Sequence, residues 1–384
     1  MLVPNRRGTR NRRIIGTAVA LVFVFGPPIG LAAGVKPSTI DNRALAPAPS
    51  LDKGFDALDM VGPWATDRLA GRGQAVQAKS WIDFNLLKEM PATNKVVRGK
   101  DGYLFLGEDF TKACAGRTAF ERNLKSFLKL AEIIKASGRN AVFTLGPNKS
   151  SVVSASLPKA LPTGNCALTG IAQENAVLDN FRHPLWVGVH SQLVEAQAAG
   201  KNPYSRTDTH WTTGGAAIFA RSLAQQLDPG LAERITTTPT TITKAGDLTT
   251  LLGLAVTEDQ PSADLSTGTT VTPDPSLDQF DLLKMDNYGK ERWTTTPTAG
   301  LVPGKSLILG DSFAYTALGN LRPLFADGTF LWTGHVSQTD IVSQIKASDT
   351  VVVELVQRSV AAGHLYASPA FQTKVAAALG VKVP

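Results

Sequence analysis

Cysteine and histidine are scarce: the 384 residues hold two of the first and five of the second. Two cysteines make no zinc site, and the histidines are scattered without the short spacings that let neighbours ligate one ion. The sequence therefore gives no reason to expect a protein-bound metal. No glycine loop of the phosphate-cradling type is present, and there is no internal repeat and no heptad array. A broad basic field is missing as well. The formal net charge is +7, but Arg6, Arg7, Arg10, Arg12 and Arg13 supply five of those charges. What is left is close to neutral, which excludes nucleic-acid binding as the meaning of the high isoelectric point.

What the chain does have is apolar residues, 43% of the total, ample for a core. The length suits one large domain or two modest ones. Residues 14–35 carry no charge and follow the arginines directly. An arginine flank before an uncharged run reads as a signal-anchor or a signal peptide. Small residues near Leu31, Ala32 and Ala33 leave cleavage, and so a secreted product, open; the uncleaved anchor is the reading taken here. Either way residues 1–35 place the arginines in the cytoplasm and the main domain outside it, periplasmic or on the cell surface. Residues 36–60, with Pro37, Pro47 and Pro49, suit a linker, and residues 61–384 read as one domain. In an exported chain the even pair Cys114 and Cys166 is a disulfide candidate.

The main domain reads as α/β. Apolar residues from Phe120 to Ile134 recur at spacings of three and four, a helix, and Gly138 suits its C-terminal cap. The run Asn140 to Leu145 then reads as a buried parallel strand. That alternation belongs to a doubly wound sheet. A strand at Leu185 to Val189, helices over 191–199 and 214–227, and a β-branched run from Thr350 to Val356 continue it. Residues 235–300, rich in Thr, Pro and Asp, read as a loop-rich insertion.

Two stretches carry chemistry. In Ser306-Leu-Ile-Leu-Gly-Asp-Ser-Phe313 an apolar strand ends at Gly310 and a helix-compatible segment follows. Ser312 then stands at the carboxyl end of a strand, beside the free N–H groups of a helix start, where an oxyanion can be stabilised. A serine needs a base to become a nucleophile. Arg206-Thr-Asp-Thr-His-Trp211 offers one: in an extended segment Asp208 and His210 would point to the same side. Ser312, His210 and Asp208 are thus expected as nucleophile, base and orienting acid. Gly310, Asp311, Lys149 and Arg358 are the candidates for oxyanion or substrate contact. For Lys149 the alternative is a solvated surface lysine, and for Arg358 an ion pair with Glu354.

These residues resemble the SGNH-hydrolase-like proteins of alginate O-acetylation, the AlgJ/AlgX type. Asp-x-His-Trp before a small-residue helix, then a late Gly-Asp-Ser-Phe, is the core of the likeness. Val96-Val-Arg-Gly-Lys-Asp-Gly-Tyr-Leu-Phe105, Pro147-Asn-Lys149, Gly246-Asp-Leu and Val351-Val-Val-Glu-Leu-Val-Gln-Arg358 match further pieces in order. The resemblance implies a three-layer αβα domain with a mostly parallel sheet, its Asp-x-His motif preceding its serine motif, the reverse of ordinary SGNH esterases. It implies an O-acetyltransferase acting outside the cytoplasm on the hydroxyls of an exported polysaccharide. An esterase or a non-catalytic polysaccharide-binding protein of the same fold are the alternatives. With no coenzyme A signature in the chain, no bound cofactor is expected. Acetyl groups would arrive indirectly from acetyl-CoA, through a multispanning membrane-bound O-acyltransferase partner.

Overall fold

The computed structural model describes residues 45–69, 71–87, 95–161, 164–254, 256–274 and 289–383, with Ile29 and Gly34. Apart from those two, the segment 1–35 read as arginine flank and signal-anchor lies outside the described residues. Among the described residues no helix is long and apolar enough to cross a membrane.

The chain forms two compact units, Met1–Ala92 with Thr249–Ala255, and Thr93–Leu248 with Val256–Pro384. The smaller unit contains helices Asp56–Asp67 and Arg72–Trp81. The first begins inside the stretch read as a linker. Asp56 and Asp59 in its first turn favour a helix start through the helix dipole, and prolines upstream do not oppose it. The buried Asp67 carboxylate accepts the Ala46 N–H at 2.8 Å and pairs with Arg72 at 3.3 Å.

The larger unit opens with a hairpin, β1 (Val96–Arg98) and β2 (Leu104–Leu106). Its turn uses Asp101 and Gly102, both at positive φ (54° and 78°), the geometry that a tight hairpin demands. Behind it stands a seven-stranded sheet ordered β4-β3-β11-β9-β10-β8-β7, made of β3 (Asn140–Gly146), β4 (Trp186–Val187), β7 (Thr270–Pro273), β8 (Lys290–Thr296), β9 (Val302–Gly310), β10 (Phe325–Trp332) and β11 (Thr350–Val356). The strands β4, β3, β11, β9 and β10 run parallel, while β8 is antiparallel to β10 and to β7, so the sheet is mixed.

Side-chain alternation along these strands builds two cores. Val142, Ile308, Phe330 and Val352 face one side, against helices α2 (Thr213–Leu227) and α3 (Ser312–Leu321). Phe143, Leu145, Leu307, Leu309, Val351 and Val353 face the other, against α1 (Arg117–Ala136), α4 (Gln338–Ala347) and α5 (Pro369–Leu379). Helices on both faces of the sheet make three layers. All seven residues of β11 are buried, as a β-branched run between two covered faces should be.

Residues 235–300 differ from the loop-rich expectation. Thr236–Ala245 and Thr257–Ser266 pair as an antiparallel ribbon, β5 and β6, while β7 and β8 extend the main sheet. Threonine is β-branched and favours strands, so a threonine-rich run can be an exposed strand rather than a loop. Residues 275–288 lie outside the described residues.

Candidate active site

The site lies where β3, β11 and β9, three adjacent parallel strands, end. β9 stops at Gly310. A Cβ there would sit 2.3 Å from the Ala314 Cβ, so only glycine lets the strand turn this tightly into α3. Asp311 caps the helix: one carboxylate oxygen accepts the Phe313 N–H at 2.9 Å, the other the Val356 N–H of β11 at 2.7 Å. Both oxygens are thus engaged with backbone. Gly310 and Asp311, candidates for oxyanion or substrate contact, both shape this turn. Ser312 is the first residue of α3 and is half-buried.

The Asp-Thr-His-Trp segment is not extended. Asp208 Oδ1 accepts the His210 backbone N–H at 2.9 Å, closing an Asx-turn. The same oxygen lies 2.8 Å from His210 Nδ1. Asp208 therefore does orient the imidazole, through a turn rather than through strand alternation. With a proton on Nδ1 donated to Asp208, Nε2 is left as the base. Trp211 docks this loop on α3: its indole N–H reaches the Phe313 carbonyl and Thr316 Oγ1, each at 3.1 Å. The His210 ring lies 5.1 Å from the ring of Phe313, the residue after Ser312. Thr212 then caps α2 by accepting the Gly215 N–H.

Burial works to raise the Asp208 carboxyl. The hydrogen bond and charge of His210, with Lys244 3.2 Å away, outweigh it and hold the group well below the usual carboxylate range. Asp247 lies on the other side. One of its oxygens accepts the Thr209 N–H at 2.6 Å and the other is 3.6 Å from His210 Nδ1. Burial first, then the charge of Asp208, pushes the Asp247 carboxyl up. Neither Asp247 nor Lys244 stands out in sequence. The signal that existed was Gly246-Asp-Leu, one of the pieces of the family resemblance. Ligand atoms of Asp208, His210 and Asp247 fall within 4.8 Å of one another, a donor set able to hold a cation. The Lys244 ammonium already provides a positive charge at this cluster, and Asp208 Oδ1 is taken by His210.

Lys149 is buried, not surface-solvated. Its ammonium donates to the carbonyls of Ser205 (3.1 Å), Arg206 (3.2 Å) and Asp208 (2.7 Å), and so clamps the loop that carries His210. Burial pulls its pKa down to about 8. Arg358 pairs with Asp109 at 3.5 Å rather than with Glu354, and its guanidinium lies over the Phe313 ring at 5.5 Å. Glu354 turns instead to α3, where Oε2 accepts the N–H groups of Ala314 (3.1 Å) and Asp311 (3.4 Å). Further along the same unit Cys114 and Cys166 are joined as a disulfide, with Cα atoms 5.1 Å apart.

The fold thus brings together a serine at a strand-to-helix turn and an Asp–His pair docked against that helix. The chain belongs to the family described as SGNH hydrolase-like domain, acetyltransferase AlgX, whose sequence model matches residues 96–288. Ser312 lies beyond that span. The chain is 29% identical over 147 residues to a probable alginate O-acetylase AlgJ of Pseudomonas fluorescens, covering 38% of this chain and 36% of that one. It is 28% identical over 187 residues to a probable alginate O-acetylase AlgJ of Pseudomonas putida, covering 45% of each. The chain thus spans less than half the length of either relative. Among solved structures, the O-acetyltransferase domain of Pseudomonas putida AlgJ superposes with a TM-score of 0.45 at 19% identity, covering 73% of this chain and 98% of that one. Bacillus cereus PatB1 superposes with a TM-score of 0.48 at 15% identity, covering 71% and 98%.

Proposed function

We propose that the protein is an O-acetyltransferase acting outside the cytoplasm, which moves acetyl groups through an acetyl-Ser312 intermediate onto hydroxyls of an exported polysaccharide. The observation that carries this reading is the docking of the Asp208–His210 pair on the first turn of α3, the turn that opens with Ser312. Family membership supports acetyl transfer as the chemistry. Polysaccharide as the acceptor class follows the alginate O-acetylases that the chain resembles.

In the first half-reaction His210 Nε2 takes the Ser312 hydroxyl proton as Oγ attacks the acetyl carbonyl carbon. The carbon–oxygen or carbon–sulfur bond to the donor breaks, and His210 returns the proton to that leaving group. In the second, His210 takes the proton of an acceptor hydroxyl, which attacks the acetyl-serine and releases Ser312. Asp208 holds the imidazole and balances its positive form. The donor is delivered by a multispanning membrane O-acyltransferase that draws on cytoplasmic acetyl-CoA. This chain supplies the Ser-His-Asp group and binds no resident cofactor. The arginine-flanked segment 14–35 holds the domain at the outer side of the membrane.

The test is acetyl release from an activated acetyl ester by the purified protein, with and without an oligosaccharide acceptor. Ser312→Ala should melt normally and lose on the order of 10⁴-fold in rate, His210→Ala nearly as much and Asp208→Asn somewhat less. Acceleration by the acceptor, with acetyl recovered on its hydroxyls, marks a transferase. Rapid release that no acceptor improves marks an esterase. A folded Ser312→Ala at wild-type rate removes the catalytic reading and leaves a binding protein.

A further inference from the structure

Nucleophile turns are shaped by which backbone N–H groups are already taken. The first four N–H groups at the start of α3 belong to Asp311, Ser312, Phe313 and Ala314, and a helix start leaves such groups without helical partners. Phe313 donates to Asp311 Oδ1 at 2.9 Å, Ala314 to Glu354 Oε2 at 3.1 Å and Tyr315 to the Asp311 carbonyl at 3.0 Å. The Asp311 N–H, one residue before Ser312, also goes to Glu354 Oε2, at 3.4 Å. Among the described residues the Ser312 N–H alone is left.

We infer that Glu354 is a positioning residue for the nucleophile: from beneath the turn it binds the N–H groups on either side of Ser312 and leaves the Ser312 N–H as the helix-terminal donor for an oxyanion. The inference rests on the reading of Ser312 as nucleophile. Glu354 sits on β11, between β3 and β9, with no exposed surface. Two glycines make room for its carboxyl. A Cβ at Gly146 of β3 would stand 2.9 Å from Oε1, and one at Gly310 of β9 3.2 Å from Oε2. A side chain with a cleared space on both flanks is a built feature.

Capping alone does not account for it. Asp311 already caps α3, and burying a carboxyl to add a second cap costs more than a cap hydrogen bond returns. Burial, then the nearby Asp311 charge, pushes the Glu354 carboxyl well above its ordinary range. A single oxygen, Oε2, accepts both N–H groups, a role that a neutral side chain of the same length can fill. Glutamine offers the same acceptor at the same length.

The experiment measures kcat and KM on an activated acetyl ester for the full chain as wild type, Glu354→Gln, Glu354→Asp, Glu354→Leu and Ser312→Ala, beside each melting temperature. Glu354→Asp, one methylene shorter, draws the acceptor away from both N–H groups. Glu354→Asp and Glu354→Leu should lose on the order of 10²-fold in kcat with KM nearly unchanged, because a displacement of about 1 Å at a reacting centre costs that much. Glu354→Gln should keep kcat within about tenfold of wild type, the rescue expected when only the acceptor matters. A folded Glu354→Asp or Glu354→Leu at wild-type kcat overturns the inference. So does a Glu354→Gln that melts normally and is as slow as Glu354→Asp. Should Glu354→Leu not fold, the Asp and Gln variants decide. Full activity in Ser312→Ala would sink the nucleophile reading itself. An inactive Ser312→Ala beside fully active Glu354 variants would sink this inference alone.

Discussion

Asp109 shows how a single buried carboxyl can set a pH dependence. It is buried against Arg358 and beside Ser150, and burial pushes its pKa up to about 6 from 3.8, against the pull of Arg358 and Lys149. A carboxyl raised in the folded state gives its stabilising contribution in full below the unfolded value and loses it as pH rises through the folded one. Wild type should therefore lose stability relative to Asp109→Asn between pH ~4 and ~6, by on the order of 3 kcal/mol. Urea unfolding of both proteins across that window checks this, and parallel stability curves would refute it. At this scale the sequence shows residue types, not partners. Ser312, His210 and Asp208 are legible because each lies in a short motif whose spacing carries meaning. Arg358 was matched to Glu354 by nearness in sequence. In the fold β11 ends at Val356, the chain enters a short helix from Gln357, and Arg358 meets Asp109 of a distant segment.

At the scale of elements, the loop bearing Asp208 and His210 is held by Lys149, which follows the end of β3. Lys149→Met keeps the aliphatic stem and removes all three donations, leaving buried carbonyls unpaired. The expected cost is on the order of 3 kcal/mol in stability. A relaxed loop should also lower kcat about tenfold or more, since His210 would no longer be held. Thermal melts paired with kcat at saturating ester test this. A lower melting temperature with unchanged kcat would make the clamp purely structural. The helix at Arg117–Ala136 and the strands β3 and β11 are readable from periodicity, because one-sided or two-sided burial imposes its own period. The ribbon β5–β6 was not. Its strand-favouring threonines are largely exposed, so no apolar alternation marks them.

For the larger unit as a whole, the disulfide is the testable tie. Cys114 and Cys166 are 52 residues apart, and closing a loop of that length restricts the unfolded chain by about 4 kcal/mol. Urea unfolding with and without reductant should differ by about that much, and equal midpoints would show that the bridge does not form in solution. What the sequence determined by itself was the local part: α/β alternation, the glycine turn after β9, the Asp-x-His-Trp loop, and enough ordered motifs to point to the family. Such features follow from backbone sterics and side-chain period within a dozen residues, which any stretch of chain carries with it. The tertiary structure decided which distant groups meet. It placed Asp247 and Lys244 beside Asp208, turned Lys149 inward, divided the chain into two units, and set Glu354 under Ser312. Those outcomes depend on β3, β11 and β9 lying side by side, an order in space that differs from their order along the chain.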